Sequence, residues 1–153
     1  GGLFSRILEI KTAEELKSCF EVSASEYWND HYVFGKKSRR SGKRTGDTAT
    51  DILLINSVIP VLFSYGIARN NSEITERALT FLEDISPEAN VIISEWEACG
   101  ISAESAFDSQ ALIQLRNEYC RRRRCLDCRI GSRIISSGAV LLPDDQLLLD
   151  PLP

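Results

Sequence analysis

The feature that most limits the fold of this chain is an apolar segment of 20 residues, from Ala49 to Ala68. Its hydrophobic side chains cover most faces of a helix: Ile52, Leu53, Ile55, Val58, Ile59, Leu62 and Phe63. A helix that is hydrophobic nearly all round has to be buried by the rest of the fold. We therefore predict a central, most buried helix that is capped by Thr48. Because proline has no N–H to donate, we expect a kink in the turn before Pro60.

Helix signals also dominate the segments around this helix. Thr12 and Glu15 form a capping box, in which each side chain bonds an unpaired backbone amide of the other, and a short helix should follow through Phe20. The other predicted helices begin with a polar cap or lie near the C-terminus: Ser23 to about His31, from Ser72, from Ser86-Pro87 to Gly100, from Asp108 or Ser109 to Cys120, and Leu126 to Ser136. No series of alternating strand patterns appears. The sequence therefore predicts an all-α fold of about six or seven helices around the central helix.

Length and composition indicate a globular protein. The chain has 153 residues, of which 43% are hydrophobic and 26% are charged, as in one soluble domain. We expect one helical domain over residues 1–137 and a Leu- and Pro-rich tail over residues 138–153. No secretory signal is recognisable, and no uninterrupted apolar run approaches the roughly 20 residues that span a bilayer. The sequence therefore predicts a cytoplasmic protein without membrane contact.

Positive charge is concentrated in two blocks, although the net charge is −4. The blocks are Lys36, Lys37, Arg39, Arg40, Lys43 and Arg44, and then Arg121, Arg122, Arg123 and Arg124. Such residues bind phosphates, and the aromatic residues around the first block could stack on bases. Two alternatives stay open: residues 35–46 are only an exposed, mobile loop, or the arginines contact the acidic middle of the chain or another part of a longer protein.

Three cysteines suggest a metal site. Cys120, Cys125 and Cys128 have the spacing C-x4-C-x2-C, which resembles that of plant-type iron–sulfur proteins and also suits zinc. The fourth ligand would have to be His31, Cys19 or Cys99. Five cysteines in a chain without an export signal argue against a disulfide scaffold. The alternatives are that the three cysteines pack as small apolar residues or have a redox role without metal, and packing on apolar faces is the expectation for Cys19 and Cys99.

Several of these segments carry a resemblance to a family. They are Phe4–Glu9, Glu26–Trp28 with His31–Lys36, Phe107–Leu112, and Glu118–Cys120 with Arg124–Gly131. Up to about Ile135, the chain resembles the C-terminal part of the domain-of-unknown-function 2851 family of bacterial proteins. The resemblance implies that a larger N-terminal region is absent here, as the lack of Met also suggests. It includes His31 with the three cysteines, which favours a Cys3His site, but it implies no activity.

Little else in the chain indicates chemistry. It has a single histidine, and its neighbouring carboxylates point in different directions on a helix. We therefore expect a non-catalytic accessory domain that holds structural zinc or an iron–sulfur cluster and contacts nucleic acid or its own N-terminal region. The alternatives are part of an enzyme with its active site at the junction with that region, and a metal-free helical interaction module.

Overall fold

The protein is helical, as the sequence predicts. The computed structural model describes residues 2–137, and within that range it contains seven α-helices and one small antiparallel sheet. The helices are α1 (Leu3–Glu9), α2 (Ala13–Ser18), α3 (Asp47–Ala68), α4 (Ser72–Asp84), α5 (Val91–Ala98), α6 (Ala106–Leu115, continued by a π-helical turn, Arg116–Cys120) and α7 (Arg129–Ser136). A short 3-10 helix (Glu26–Asn29) precedes the strands β1 (His31–Val33) and β2 (Lys36–Lys37).

The chain forms two compact units that divide between Ile113 and Gln114. The first unit contains the sheet and the helices α1 to α5, and the second contains the three clustered cysteines and α7. A single domain over residues 1–137 stays a prediction. The predicted tail, residues 138–153, lies outside the described residues.

The long helix α3 is interrupted where the proline pattern indicates. Residues Leu54–Val58 form a π-helical turn, and the N–H of Ile59 bonds the carbonyl of Leu54, five residues back. Pro60 follows directly, and the wider turn accommodates a residue that has no N–H to donate. The π-helical turn therefore lies where the sequence predicts a kink before Pro60. The predicted cap is wrong, because Gly46 occupies the N-cap and Thr48 lies in the first turn of the helix.

One face of α3 supplies the centre of the hydrophobic core in the first unit. Helix α4 packs along its second half, and the core is formed by Ile7, Ala13, Leu16, Leu54, Ile55, Ile59, Leu62, Ala78, Phe81, Ile85 and Ala106. The opposite face is not covered within the described residues, since Ile52 is 51% exposed and Val61 is 56% exposed. The helix is therefore central, but it is buried on one side only.

Within residues 2–137, the helix Asp47–Ala68 is long and apolar enough to cross a membrane by length and composition. No membrane span is predicted from the sequence, because Asn56, Ser57 and Pro60 interrupt the apolar run. These residues do not end the helix, so the length criterion is met after all. A helix at the centre of a protein core passes the same test, and α3 contributes four of the core residues.

Asparagines, rather than the predicted serines, cap two of the helices. Asn71 accepts the N–H of Ile74 at 3.1 Å and begins α4, one residue before the predicted Ser72. Asn90 accepts the N–H of Ile93 at 3.1 Å, so α5 begins well after Ser86-Pro87 and that prediction is wrong. The cap at Thr12 is confirmed, because its hydroxyl accepts the N–H of Glu15 at 3.3 Å.

The predicted start of α6 is also displaced. The helix begins at Ala106, ahead of the predicted Asp108 or Ser109. The hydroxyl of Ser105 accepts the N–H of Asp108 at 3.2 Å, which is the bond of an N-cap side chain. Ser109 instead lies fully buried in the helix, where its hydroxyl accepts the N–H of Glu88 at 3.2 Å.

Candidate nucleic-acid interface

Residues 22–45 form a closed loop in the first unit, which we call the basic hairpin. Its two ends are paired, because the N–H of Ala24 donates to the carbonyl of Lys43 at 2.8 Å and the N–H of Thr45 donates to that of Val22 at 2.9 Å. Near the tip, β1 and β2 pair as an antiparallel hairpin with an irregular register. The segment predicted to be a loop, residues 35–46, is therefore held by backbone hydrogen bonds over part of its length. Its mobility stays a prediction.

Tyr27 holds the hairpin turn from inside. Its hydroxyl accepts the N–H of Gly35 at 2.8 Å, and Gly35 has a φ of +71°, a left-handed conformation that suits glycine. The Tyr27 ring also stacks on the His31 ring, with centroids 4.1 Å apart and planes 8° from parallel. Tyr27 thus connects the 3-10 helix to both the turn and the first strand.

His31 is buried and serves the same scaffold. Its Nδ1 lies 2.8 Å from the carbonyl oxygen of Tyr27 and 2.7 Å from Oδ1 of Asp30. Both neighbours are acceptors, so Nδ1 carries the hydrogen and the ring is fixed between them. His31 is predicted from the sequence to be a metal ligand, whereas its contacts in the structure give it a structural role in the hairpin.

Two aromatic rings at the tip of the hairpin face solvent. Phe34 is 79% exposed and Tyr32 is 69% exposed. Phe34 touches the Trp28 ring edge-on, with centroids 4.9 Å apart. The ammonium of Lys43 lies 3.5 Å from the centroid of the Tyr32 ring and donates to the carbonyl of His31 at 2.5 Å. Both rings are therefore supported from one side and open on the other.

Positive charge surrounds these rings. Residues 26–46 contain six basic and two acidic side chains, a net charge of +4. Five of the basic residues are exposed: Lys36, Lys37, Arg39, Arg40 and Arg44. Within the part of the chain that the structure describes, none of these five forms an ion pair with a carboxylate. The hairpin therefore presents unneutralised cations next to exposed rings, a combination suited to a nucleic-acid strand.

The second basic block, in the other unit, is partly neutralised. Arg122 makes two contacts with the carboxylate of Glu118, at 3.0 and 3.2 Å, and Arg124 pairs with Asp127 at 3.0 Å. The guanidinium of Arg124 also lies 5.7 Å from the centroid of the Tyr119 ring. Two of the four arginines are thus engaged locally, so this block is the weaker candidate for phosphate binding.

The three clustered cysteines lie around the start of α7. Cys128 is buried at its N-cap, and its Sγ accepts the N–H of Gly131 at 3.5 Å. Cys125 is exposed and lies in the turn before the helix. Cys120 is exposed at the end of the π-helical turn that continues α6. The predicted delivery of Cys120 at a helix end is therefore confirmed.

The predicted metal site is not assembled by these positions. Across residues 2–137, no group of three or more His, Cys, Asp or Glu side chains is arranged to hold a metal ion. A structural zinc site needs four ligands around one centre, and the arrangement described does not fit that requirement. A zinc or iron–sulfur site on Cys120, Cys125, Cys128 and His31 stays a prediction.

The two remaining cysteines differ from one another. Cys19 is half-buried and lies 3.7 Å from a guanidinium nitrogen of Arg6. Cys99 is exposed at the C-cap of α5, so the prediction that it packs on an apolar face is wrong. Gly100 follows with a φ of +79° and ends the helix at the predicted residue.

A comparison with family models decides the relationship of the chain. The model described as Protein of unknown function (DUF2851) matches residues 1–91, which is more than half of the chain. This protein belongs to the DUF2851 family. The match contains the whole basic hairpin. No curated protein and no solved structure matches the chain.

The family predicted from sequence is confirmed, but its extent is different. The DUF2851 match covers the N-terminal part of the chain, whereas the motifs read from the sequence extend the resemblance to about Ile135. Of the segments quoted above, Phe4–Glu9 and Glu26–Lys36 lie inside the matched range, and Phe107–Leu112 and Glu118–Gly131 lie outside it. An N-terminal region beyond this chain, and contact with it, stay predictions.

Two residues of the interface have a different role in the structure from the one that the sequence predicts. Tyr27 is one of the aromatic residues near the first basic block that the sequence predicts to stack on bases, but its ring and hydroxyl are used inside the hairpin. Lys43 was grouped with the phosphate-binding residues, although its ammonium is held by Tyr32 and His31. Gly35 was the sequence signal for a hairpin turn, and a hairpin turn places the residues on either side of it close together.

Proposed function

We propose that this DUF2851 member is a non-catalytic module whose basic hairpin binds single-stranded nucleic acid. The observation that carries the proposal is the combination at the tip: two exposed rings, Tyr32 and Phe34, beside five exposed and unpaired basic side chains. Residues Lys36 to Arg44 supply the charge, and Tyr27 and His31 hold the backbone beneath the rings.

The exposed rings favour a single strand over a duplex. An unpaired base offers its face to an aromatic ring, and each such stack contributes about 1–3 kcal/mol. In a duplex the base faces are covered by their neighbours, so Phe34 would lose this contact. The basic side chains add a sequence-independent attraction to phosphates. The module should therefore bind many sequences with similar affinity and should prefer unpaired strands.

Fluorescence anisotropy with a fluorescein-labelled oligouridine tests the proposal. At low salt the wild-type chain should bind the single strand, and Phe34→Ala should weaken binding by roughly 5- to 150-fold, which corresponds to one lost stack. Val91→Ala is the matched control, because Val91 is 73% exposed on α5 in the same unit and also loses only apolar surface. The control should bind like the wild type.

Three results would overturn the proposal. The first is no binding at low salt. The second is equal binding by wild type and Phe34→Ala. The third is binding of the hairpin to phosphatidylserine vesicles with no binding to the oligonucleotide, since rings beside cations also suit an anionic lipid surface.

A further inference from the structure

The second unit contains a pair of thiols whose arrangement suits thiol–disulfide exchange. Cys125 and Cys128 are separated by two residues, and the N–H of Cys128 donates to the carbonyl of Arg124 at 3.1 Å, closing a turn around them. A turn closed by an N–H and a carbonyl four residues apart is a single turn of helix, in which residues three apart are neighbours, and a disulfide needs Cα atoms about 4.4–6.8 Å apart. The two cysteines therefore occupy neighbouring positions of one turn, as a disulfide between them requires.

Gly131 keeps Cys125 against the start of α7. A Cβ at Gly131 would lie 2.7 Å from the carbonyl oxygen of Cys125 and 3.2 Å from its Cβ. Only glycine allows so close an approach of the turn to the helix. The amide of the same residue donates to Sγ of Cys128. Gly131 therefore contacts both cysteines of the pair.

The two thiols differ in access. Cys125 is exposed, whereas Cys128 is 8% exposed. A shallow depression of about 320 Å³ lies beside the buried thiol and is lined by Leu126, Asp127, Cys128, Arg129, Ser132 and Arg133. Its two arginines are exposed, and the carboxylate of its one acidic residue, Asp127, pairs with Arg124 at 3.0 Å, so the depression suits a small anionic molecule. An accessible thiol next to a sheltered one is the arrangement in which the first attacks and the second resolves.

We propose that Cys125 and Cys128 form a redox-active dithiol that exchanges with an anionic low-molecular-weight disulfide, such as oxidised glutathione. The thiolate of Cys125 attacks one sulfur of the disulfide, whose S–S bond breaks and releases one thiolate. Sγ of Cys128, after giving its proton to water, then attacks Sγ of Cys125 and displaces the second thiolate. Two protein thiols lose two protons and two electrons, and the small disulfide gains them to become two thiols.

Peptide mapping after incubation in glutathione redox buffers tests this proposal on the whole chain. Trypsin cleaves after Arg124 and Arg129, so Cys125 and Cys128 share one peptide, whereas Cys120 lies in residues 117–121. In oxidising buffer the shared peptide should become lighter by two hydrogen atoms. It should return to the reduced mass when reduced glutathione is added in excess.

Single variants identify the role of each thiol. Cys128→Ser should leave a glutathione adduct on Cys125, because no thiol remains to resolve it. Cys125→Ser should leave Cys128 largely unmodified, because that thiol is buried. Cys120→Ser is the matched control and should form the internal disulfide like the wild type. Circular dichroism of each variant reports whether α7 and the rest of the fold are retained.

Several outcomes would overturn the proposal. One is a disulfide that joins residues 117–121 to residues 125–129. Another is a pair that stays reduced, or takes a glutathione on each sulfur, across the whole range of buffers. A third is stoichiometric zinc or iron in the purified protein that is lost in Cys125→Ser, which would assign these thiols to the metal site predicted from sequence.

Discussion

At the scale of single residues, two glycines permit contacts that no other residue allows. Gly66 is buried in α3 where the chain turns into α4, and a Cβ there would lie 2.5 Å from Oγ1 of Thr75 and 2.9 Å from its backbone nitrogen. Gly131 is used in the same way beside Cys125. Neither role follows from a positive φ, since each residue lies within a helix. What is needed at these positions is the absence of a side chain.

Gly66→Ala should therefore lower the free energy of unfolding by about 1–3 kcal/mol, because the added methyl group forces Thr75 and the backbone of α4 to move. Urea denaturation followed by circular dichroism measures the change. Gly42→Ala is the control, since a Cβ at Gly42 meets nothing within 4 Å. Equal stabilities of the two variants would contradict the close helix contact.

The second prediction for a single residue concerns Tyr27, whose hydroxyl accepts the N–H of Gly35. Tyr27→Phe removes a hydrogen bond that contributes about 0.5–1.5 kcal/mol, so the hairpin turn should open more often. The amide of Gly35 should exchange with solvent faster in hydrogen-exchange NMR, and affinity for the oligonucleotide should fall by roughly 2- to 10-fold. Tyr65→Phe, on α3, serves as the control. Unchanged exchange at Gly35 in Tyr27→Phe would contradict the role given to the hydroxyl.

At the scale of elements, the caps are the clearest difference between sequence and structure. A hydroxyl before an apolar stripe predicted Ser72 as the cap of α4, but the side chain of Asn71 makes that bond. Either residue type suits an N-cap, and the choice between neighbours depends on how the preceding turn ends. Here Asn70 has a φ of +50°, which places Asn71 in the extended conformation of the cap.

Asn71→Ala should cost about 1 kcal/mol of stability, the usual loss for an N-cap asparagine. Asn71→Asp should retain most of the wild-type stability, because a carboxylate oxygen can accept the N–H of Ile74. Ser72→Ala should have little effect, since Ser72 is the first residue of the helix and not its cap. Thermal melts of the three variants check the order. A larger loss in Ser72→Ala than in Asn71→Ala would support the cap predicted from sequence instead.

The elements show which parts of the fold the sequence determines locally. The apolar segment around Pro60 indicated both the long helix and its distortion, because hydrophobic spacing and the missing N–H act within a few residues. The strands at His31–Val33 and Lys36–Lys37 were not predicted, since they are too short to show an alternating pattern. The bonds that close the ends of the hairpin join residues 22–24 to residues 43–45, which are about 20 positions apart, so no local signal encodes them.

At the scale of the whole molecule, the candidate site was only half predictable. Composition and spacing identified the basic and aromatic residues of the hairpin and the cysteine cluster. They did not separate the rings that face solvent from those that hold the turn, because that distinction needs the three-dimensional fold. The spacing of the cysteines likewise indicated a metal centre without indicating that Cys128 caps a helix.

Charge segregation matters at this scale, because the chain as a whole carries −4. A polyanion should be repelled by the acidic middle, residues 47–110, with two basic and eleven acidic side chains. Binding therefore has to be local to a basic region, and the two basic blocks are alternative locations. Two variants that each lose four positive charges distinguish them: Lys36→Gln, Lys37→Gln, Arg39→Gln and Arg40→Gln together, and Arg121→Gln, Arg122→Gln, Arg123→Gln and Arg124→Gln together.

The dependence of oligonucleotide affinity on salt concentration in these two variants is the most direct test of the hairpin as the binding site. Each phosphate contact on a single strand contributes about −0.7 to the slope of log affinity against log salt. In the hairpin variant the magnitude of this slope should fall by about two to three, and most of the affinity at low salt should be lost. The variant of the second block should keep the wild-type slope and affinity. An equal loss in the two variants, or a loss only in the second, would contradict the account.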